Sequence, residues 1–179
     1  MWKRFLGPYA AIVGIDIDPS CKTIEMEQIK VEIGSQSDEN FLAKIIHLYG
    51  PFDVVIDDGS HTMPDIASSF KVLFDSVTPD GIYIVEDLHT AYWSEYGGGL
   101  HSAASFIEFT KKVIDAIHAY YIKEEVAFED FTQYVAESTR SITLADSIIV
   151  YEKGRRIRKH APLIGRLSTA SNIISELTF

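Results

Sequence analysis

The stretch Phe52-Asp53-Val54-Val55-Ile56-Asp57-Asp58-Gly59-Ser60-His61 (FDVVIDDGSH) passes directly from an apolar, β-branched run into two acids, a glycine, a serine and a histidine. A short run of this kind, rich in Val and Ile and bounded by polar residues, reads as a strand buried on both faces with its carboxyl end at a rim. The same reading covers AAIVGIDID (10–18) and GIYIVED (81–87), each also ending in acids, and IKVEIG (29–34) supplies a further strand. Between them, 38–50 and 63–77 carry apolar residues at spacings of three and four and are predicted to be helices. In the second, Pro64 suits the first turn, Phe70, Leu73, Phe74 and Val77 form the apolar face, and Pro79-Asp80-Gly81 turns the chain into the next strand. Alternating strands and helices imply right-handed crossovers and a parallel sheet, an α/β fold.

Beyond residue 100 the pattern changes. Residues 101–125 read as one long amphipathic helix, with Phe106, Phe109, Val113, Ile117 and Tyr120 or Tyr121 on its buried side. Residues 140–154 hold two β-rich runs meeting at Ala145-Asp146, a C-terminal antiparallel hairpin. Residues 1–154 thus form the expected α/β domain, and 155–179 a tail or an arm.

With 179 residues the chain is long enough for one core and too short for two ordinary domains. A net charge of −10 excludes a phosphate-backbone partner, since nucleic-acid binding draws on clustered Lys and Arg. The basic run KGRRIRKH (153–160) reads as a solvated tail segment. A lone cysteine, Cys21, rules out a disulfide framework and a Cys-based zinc site. No apolar run reaches the length of a membrane span, and no signal-peptide core follows the first residues, so a cytoplasmic protein is expected.

In open α/β sheets ligands bind beyond the carboxyl ends of the strands, which is where the acids lie. If 52–58 and 81–87 are neighbours, Asp57, Asp58, Glu86 and Asp87 crowd into one volume, and a cation or added protons must neutralise them. An oxygen-rich set favours Mg²⁺, Mn²⁺ or Ca²⁺ over zinc. The bland alternative is a set of solvated carboxylates at strand ends. His61 follows on the same rim and is a candidate general base; its bland alternative is a residue that hydrogen-bonds the first turn of the next helix. Asp16 ends its strand where nucleoside-binding folds place an acid for ribose hydroxyls. Tyr92, Trp93 and Tyr96, ahead of Gly97-Gly98-Gly99, suggest an aromatic lid over the rim.

Taken in order, GIDID, IGSQSDENFL, GPFDVVIDDGSH, GIYIVEDLHTAYWSEYGGG and DSIIVYEKG resemble the metal-dependent, S-adenosylmethionine-dependent sugar O-methyltransferases of macrolide biosynthesis, the mycinamicin and macrocin enzymes. The resemblance covers residues 1–154. It implies a Rossmann-like class I methyltransferase sheet, mostly parallel with the C-terminal antiparallel hairpin, binding S-adenosylmethionine and Mg²⁺ and methylating a sugar hydroxyl of a glycosylated natural product or glycan. It further implies Asp58, Glu86 and Asp87 as metal ligands and His61 as the base. On the cofactor side it implies Asp16 at the ribose, Ser35 and Gln36 beside the adenine, and Asp57 facing the methionine part. Methyltransferases of this fold begin with a central strand that ends in a glycine-rich turn, and no such stretch precedes residue 10. The expectation is an N-terminally shortened sheet whose central position is empty or re-paired, with residues 2–6 as the helix after the absent turn. Exposed strand edges then favour a homo-oligomer. The competing expectations are a non-catalytic module of the same fold and a related metal enzyme that hydroxylates instead.

Overall fold

The computed structural model describes residues 2–155; residues 156–179, and with them most of the expected tail and basic run, lie outside the described residues. Helix α1 (Trp2–Leu6) leads into β1 (Ile12–Asp16), which pairs in parallel with β2 (Ile29–Ile33). Helix α2 (Glu39–Tyr49) follows, begun by Asp38, whose carboxylate accepts the N–H groups of Asn40 and Phe41. Then come β3 (Phe52–Asp57), α3 (Met63–Leu73) and β4 (Val77–Val85), and after a long irregular segment α4 (Phe106–Ile117), α5 (Asp130–Ser138) and the hairpin of β5 (Thr139–Ala145) and β6 (Ile148–Lys153).

The strands do not form one sheet. β1 and β2 stand as a parallel pair, while the other four are ordered β3-β4-β6-β5, with β3 and β4 parallel and the hairpin strands antiparallel. Among the described residues no strand joins β1 to β3. Among the described residues nothing occupies the central position expected to be empty or re-paired.

Three expectations about the elements need correction. The helix expected over 63–77 ends at Leu73: the Phe52 N–H bonds to the Ser76 carbonyl and draws the chain beside β3, so Val77 starts β4 and does not sit on the helix face. Pro79-Asp80-Gly81 therefore lies inside the strand, where the four β4 residues between Val77 and Ile82 pass the single β3 residue between Phe52 and Val54. Second, the helix expected over 101–125 is less than half that length. Ser105 caps its start, accepting the Glu108 N–H, and at His118 the backbone leaves helical geometry for a 3₁₀ turn at Ala119–Tyr121. Tyr120 and Tyr121 are exposed, and Lys123-Glu124-Glu125 beyond them supply no apolar stripe to extend a buried face. Third, α5 was not expected at all.

The core lies on the side of the four-stranded sheet where α3, α4 and α5 pack. Phe70 on α3 is its hub, with ring centroids 4.8 Å from Tyr83, 4.9 Å from Phe74, and 5.1 Å from both Phe106 and Tyr151. Such pairs add to what burial of the rings already supplies. The buried hydroxyl of Tyr151 meets that of Thr110 at 2.8 Å, and the buried Lys153 ammonium donates to the Phe74 carbonyl at 2.9 Å. Among the described residues no helix is long and apolar enough to cross a membrane. Replacing Phe70 by Ala removes the hub; the expected cost is about 3–5 kcal/mol of unfolding free energy, read from denaturant melts.

Candidate metal and cofactor site

The register of β3 on β4 brings the acids together. Asp57 stands opposite Val85, and the Glu86 N–H donates to the Asp57 carbonyl at 3.0 Å, so the two acidic pairs emerge side by side. Asp57 turns inward: it is 8% exposed, and accepts from Ser69, from Gln36 Nε2 at 3.0 Å and from the Tyr83 hydroxyl at 3.4 Å. Burial holds its carboxyl above the ordinary carboxylate range, against the pull of these donors. Asp58 points outward and meets His61 and Asp87, with one donor atom from each residue lying within 4.8 Å of the others. His61 Nε2 is 3.6 Å from Asp87 Oδ2. Glu86 is beside this trio but not part of it; its carboxyl is raised first by burial and then by Asp58 and Asp87.

Two members of the trio, His61 (φ 57°) and Asp87 (φ 53°), adopt left-handed backbone conformations. Both residue types tolerate that region better than most, and such outliers gather at functional sites. The buried Thr90 hydroxyl fixes both, 2.9 Å from the carbonyl oxygens of His61 and of Asp87. The hairpin turn holds the loop from the other side: Ser147 accepts the His89 N–H at 3.1 Å, and its carbonyl accepts the Leu88 N–H at 2.9 Å.

The expected lid, 88–100, is anchored at its base. Leu88, Thr90 and Ala91 are buried, and the Gly98 and Gly99 N–H groups bond back to the Trp93 and Ala91 carbonyls. A Cβ on Gly98 would come 2.3 Å from the Ala91 carbonyl oxygen, which is why glycine stands there. Tyr92 and Trp93 are exposed and Tyr96 half-buried, with Trp93 stacked edge-on to His89 at 4.8 Å and tilted against Tyr96 at 5.8 Å.

A cavity of about 680 Å³ lies between β1 and β3. Its mouth, at the carboxyl ends of the strands, is polar and includes Asp16, Ser35, Gln36, Asp57, Asp58 and Glu86. Asp16 Oδ1 accepts the Asp18 N–H at 2.8 Å; that bond, and a second from the Cys21 thiol, hold its carboxyl below the ordinary range. The Ser35 hydroxyl is 2.8 Å from that of Ser37. Gln36 does more than line the mouth. Its Nε2 donates to Asp57 and its Oε1 accepts the Ser60 N–H at 2.6 Å, clasping the loop after β2 to the loop after β3. A Cβ on Gly59 would fall 1.9 Å from that Oε1, so the glycine of IDDGSH makes room for the clasp.

Of the residues that the sequence placed on one rim, the structure brings Asp58, His61 and Asp87 together, with Glu86 beside them. Sequence reasoning missed Ser69, Thr90 and His89, and the bridging role of Gln36. Ser69 and Thr90 are unmarked hydroxyls inside longer elements, and only the tertiary fold brings them to their partners.

This arrangement, a Rossmann-type α/β fold with acids gathered at the strand ends, is that of the class I methyltransferases. No family model matches the chain. It is 35% identical over 158 residues to mycinamicin VI 2''-O-methyltransferase of Micromonospora griseorubida, a match spanning 87% of this chain and 39% of that protein. It is 37% identical over 128 residues to demethylmacrocin O-methyltransferase of Streptomyces fradiae, spanning 70% and 32%. A rhamnosyl-tetracenomycin 3'-O-methyltransferase of Streptomyces olivaceus is 35% identical over 159 residues, 87% of this chain and 40% of that one. Among solved structures, MycE methyltransferase of the mycinamycin pathway in complex with Mg, SAH and mycinamycin VI superposes with a TM-score of 0.76 at 33% identity, covering 90% of this chain and 41% of that one. A crystal form with Mg and SAH gives 0.79 at 33% identity, covering 91% and 42%. The chain is similar in sequence and fold to these sugar O-methyltransferases, and it spans about two fifths or less of the length of these curated relatives.

Cutting the clasp tests its part in the site. Gln36→Ala leaves the Asp57 carboxylate and the Ser60 N–H without their partner and is expected to cost about 1–3 kcal/mol in denaturant melts. Gln36→Glu, which sets a second carboxylate against Asp57, is expected to cost more.

Proposed function

We propose that this polypeptide carries the metal and cofactor site of an S-adenosylmethionine-dependent, Mg²⁺-dependent O-methyltransferase whose acceptor is a sugar hydroxyl of a glycosylated small molecule. The observation that carries the proposal is the convergence of Asp58, His61 and Asp87 within 4.8 Å at the carboxyl ends of two paired parallel strands. The mycinamicin, macrocin and tetracenomycin methyltransferases support the acceptor class by their names.

The residues fit the ion: two outward carboxylates, a third beside them, and no cysteine among them make a hard, oxygen-rich set suited to Mg²⁺. Asp58 and Asp87 would hold it with Glu86 completing the set. Such an ion lowers the pKa of a hydroxyl bound to it, and the cofactor supplies an electrophilic methyl group. His61 takes the hydroxyl proton at Nε2, its ring held against Asp87 and its backbone by Thr90. Asp16 receives the ribose hydroxyls and Ser35 and Gln36 flank the adenine at the cavity mouth, while Asp57 orients the methionine end. Tyr92, Trp93 and Tyr96 lie over the acceptor and exclude water. Tyr92 and His89 also line a second hollow of about 380 Å³ against the hairpin turn, which suits the apolar part of such an acceptor.

Thermal melts with and without millimolar MgCl₂ test the metal site. The expected result is a Mg²⁺-dependent rise in Tm that Asp58→Ala and Asp87→Ala abolish; at a hundredfold excess over Kd the stabilisation is about 2.7 kcal/mol. His61→Ala is expected to keep the rise, as suits a base, and Glu86→Gln to diminish it. A melting curve indifferent to Mg²⁺ would falsify the proposed centre. Product mass separates the reaction types, since methyl transfer adds a methyl group and hydroxylation an oxygen.

A further inference from the structure

The three residues that converge at the rim come from two places. Asp58 and His61 follow β3, whereas Asp87 follows β4, and part of what fixes Asp87 comes from the opposite edge of that strand. β4 pairs antiparallel with β6, with Val85 opposite Ile149. Two residues further along, the same register sets Asp87 opposite Ser147, in the two-residue turn between β5 and β6. Leu144, Ala145 and Asp146 ahead of it are exposed, while Ser147 is half-buried and meets the loop after β4.

Asp87 starts a 3₁₀ turn over Leu88–Tyr92, and the first N–H groups of such a turn have no partner within it. An aspartate in this position ordinarily accepts one of them with its own side chain. Asp18 and Asp38 do so in this chain: Asp18 accepts the Ser20 N–H and Asp38 the Asn40 N–H, each two residues on. Asp87 makes no such bond. The N–H two residues beyond it, that of His89, donates instead to the Ser147 hydroxyl at 3.1 Å, and the Leu88 N–H donates to the Ser147 carbonyl at 2.9 Å. His89 Nδ1 lies 2.7 Å from the same hydroxyl, which holds that oxygen at the amide. The Asp87 carboxylate then stands between two imidazoles, with Oδ2 3.6 Å from His61 Nε2 and Oδ1 3.9 Å from His89 Nδ1, where Asp58 also meets it.

We propose that Ser147 is a positioning residue for the proposed metal centre: it caps the turn after β4 in place of Asp87, and so keeps the Asp87 carboxylate turned toward Asp58 and His61. The inference rests on the reading of those residues as a metal site. Ser147 is outside the trio and lines the second hollow, so it acts through Asp87 and not as a ligand. Its backbone is strained in this role. At φ 63° it occupies the left-handed region that glycine and asparagine fill more easily. A glycine there relieves the strain and loses the cap. The His89 N–H then takes the acceptor that the other two aspartates supply, the carboxylate of Asp87 itself, and this draws the carboxylate away from Asp58 and His61.

Backbone amide exchange on the metal-free chain tests the exchange of caps. Ser147→Gly, Asp87→Gly and the double variant remove the two side chains without strain, because both positions have positive φ. The His89 amide is expected to stay protected in each single variant, held by Asp87 in the first and by Ser147 in the second. Only in the double variant does it exchange faster, by roughly tenfold or more. Calorimetry with MgCl₂ tests the consequence. Ser147→Gly is expected to weaken Mg²⁺ binding roughly tenfold or more, with no fall in the Tm measured without the ion, since glycine suits the turn. Ser147→Asn tolerates the same backbone, offers an amide oxygen to the His89 N–H, and recovers most of the affinity. The inference is overturned if Ser147→Gly binds Mg²⁺ as the unaltered chain does, or if its His89 amide already exchanges as fast as in the double variant. It is also overturned if affinity and Tm fall together and Ser147→Asn restores neither, which marks a merely structural turn. An unaltered chain that ignores Mg²⁺ while the amide pattern holds overturns the reading of the metal centre, and with it the purpose assigned to the cap, but not the exchange of caps.

Discussion

The parallel pairing of β3 with β4 is the constraint on which the site rests. One backbone hydrogen bond, from the Glu86 N–H to the Asp57 carbonyl, fixes the register at the point where both strands turn acidic. Because side chains alternate faces, that register sends Asp57 inward, to Ser69, Gln36 and Tyr83, and leaves Asp58 on the rim facing Asp87 across the strand ends. A slip of one residue would exchange the buried acid for the exposed one.

Gathering carboxylates costs energy, and the magnitudes say where it is tolerable. Two unit charges 4 Å apart repel by about 4 kcal/mol at an effective dielectric of 20 but by about 1 kcal/mol in water. Asp58 and Asp87 are exposed, so water screens most of that repulsion. Asp57 is buried, and three side-chain donors offset its desolvation. The aromatic core around Phe70 packs directly against β4, through Tyr83, and supports this register.

That core explains why some of the molecule was legible in the sequence. Strands whose apolar residues are continuous and whose ends are acidic announced themselves, as did the hairpin at 140–154. The rim could be assembled from them because neighbouring parallel strands deliver their carboxyl ends to one place. What the sequence hid depends on competition between elements. Val77 continues a helical spacing from Phe70, Leu73 and Phe74, yet the strand next door captures its segment through the Ser76 carbonyl. Helix α5 is nine residues long and carries Phe131, Tyr134 and Val135, with Thr132 and Ala136 buried beside them, too short a stripe to read alone. Nothing in the sequence marked the bridge that the Gln36 amide makes between Asp57 and Ser60.

The same clasp bears on how the two halves of the molecule differ in stability. The four-stranded sheet owns nearly the whole core, from Phe70 and Tyr83 to Tyr151, whereas in the β1–β2 pair Val31 is the one buried side chain among the described residues. The pair is attached through the packing of α2 on α3 and through Gln36, with no strand pairing to the larger sheet among the described residues. Local opening therefore starts in the half that carries Asp16 and Ser35, because few buried contacts oppose it. Asp58, Glu86 and Asp87 sit on the half with the larger core, and Asp16 and Ser35 on the other. A contact that fixes the loop after β2 also fixes Gln36, whose amide joins the buried Asp57 to the Ser60 N–H beside the mouth of the cavity.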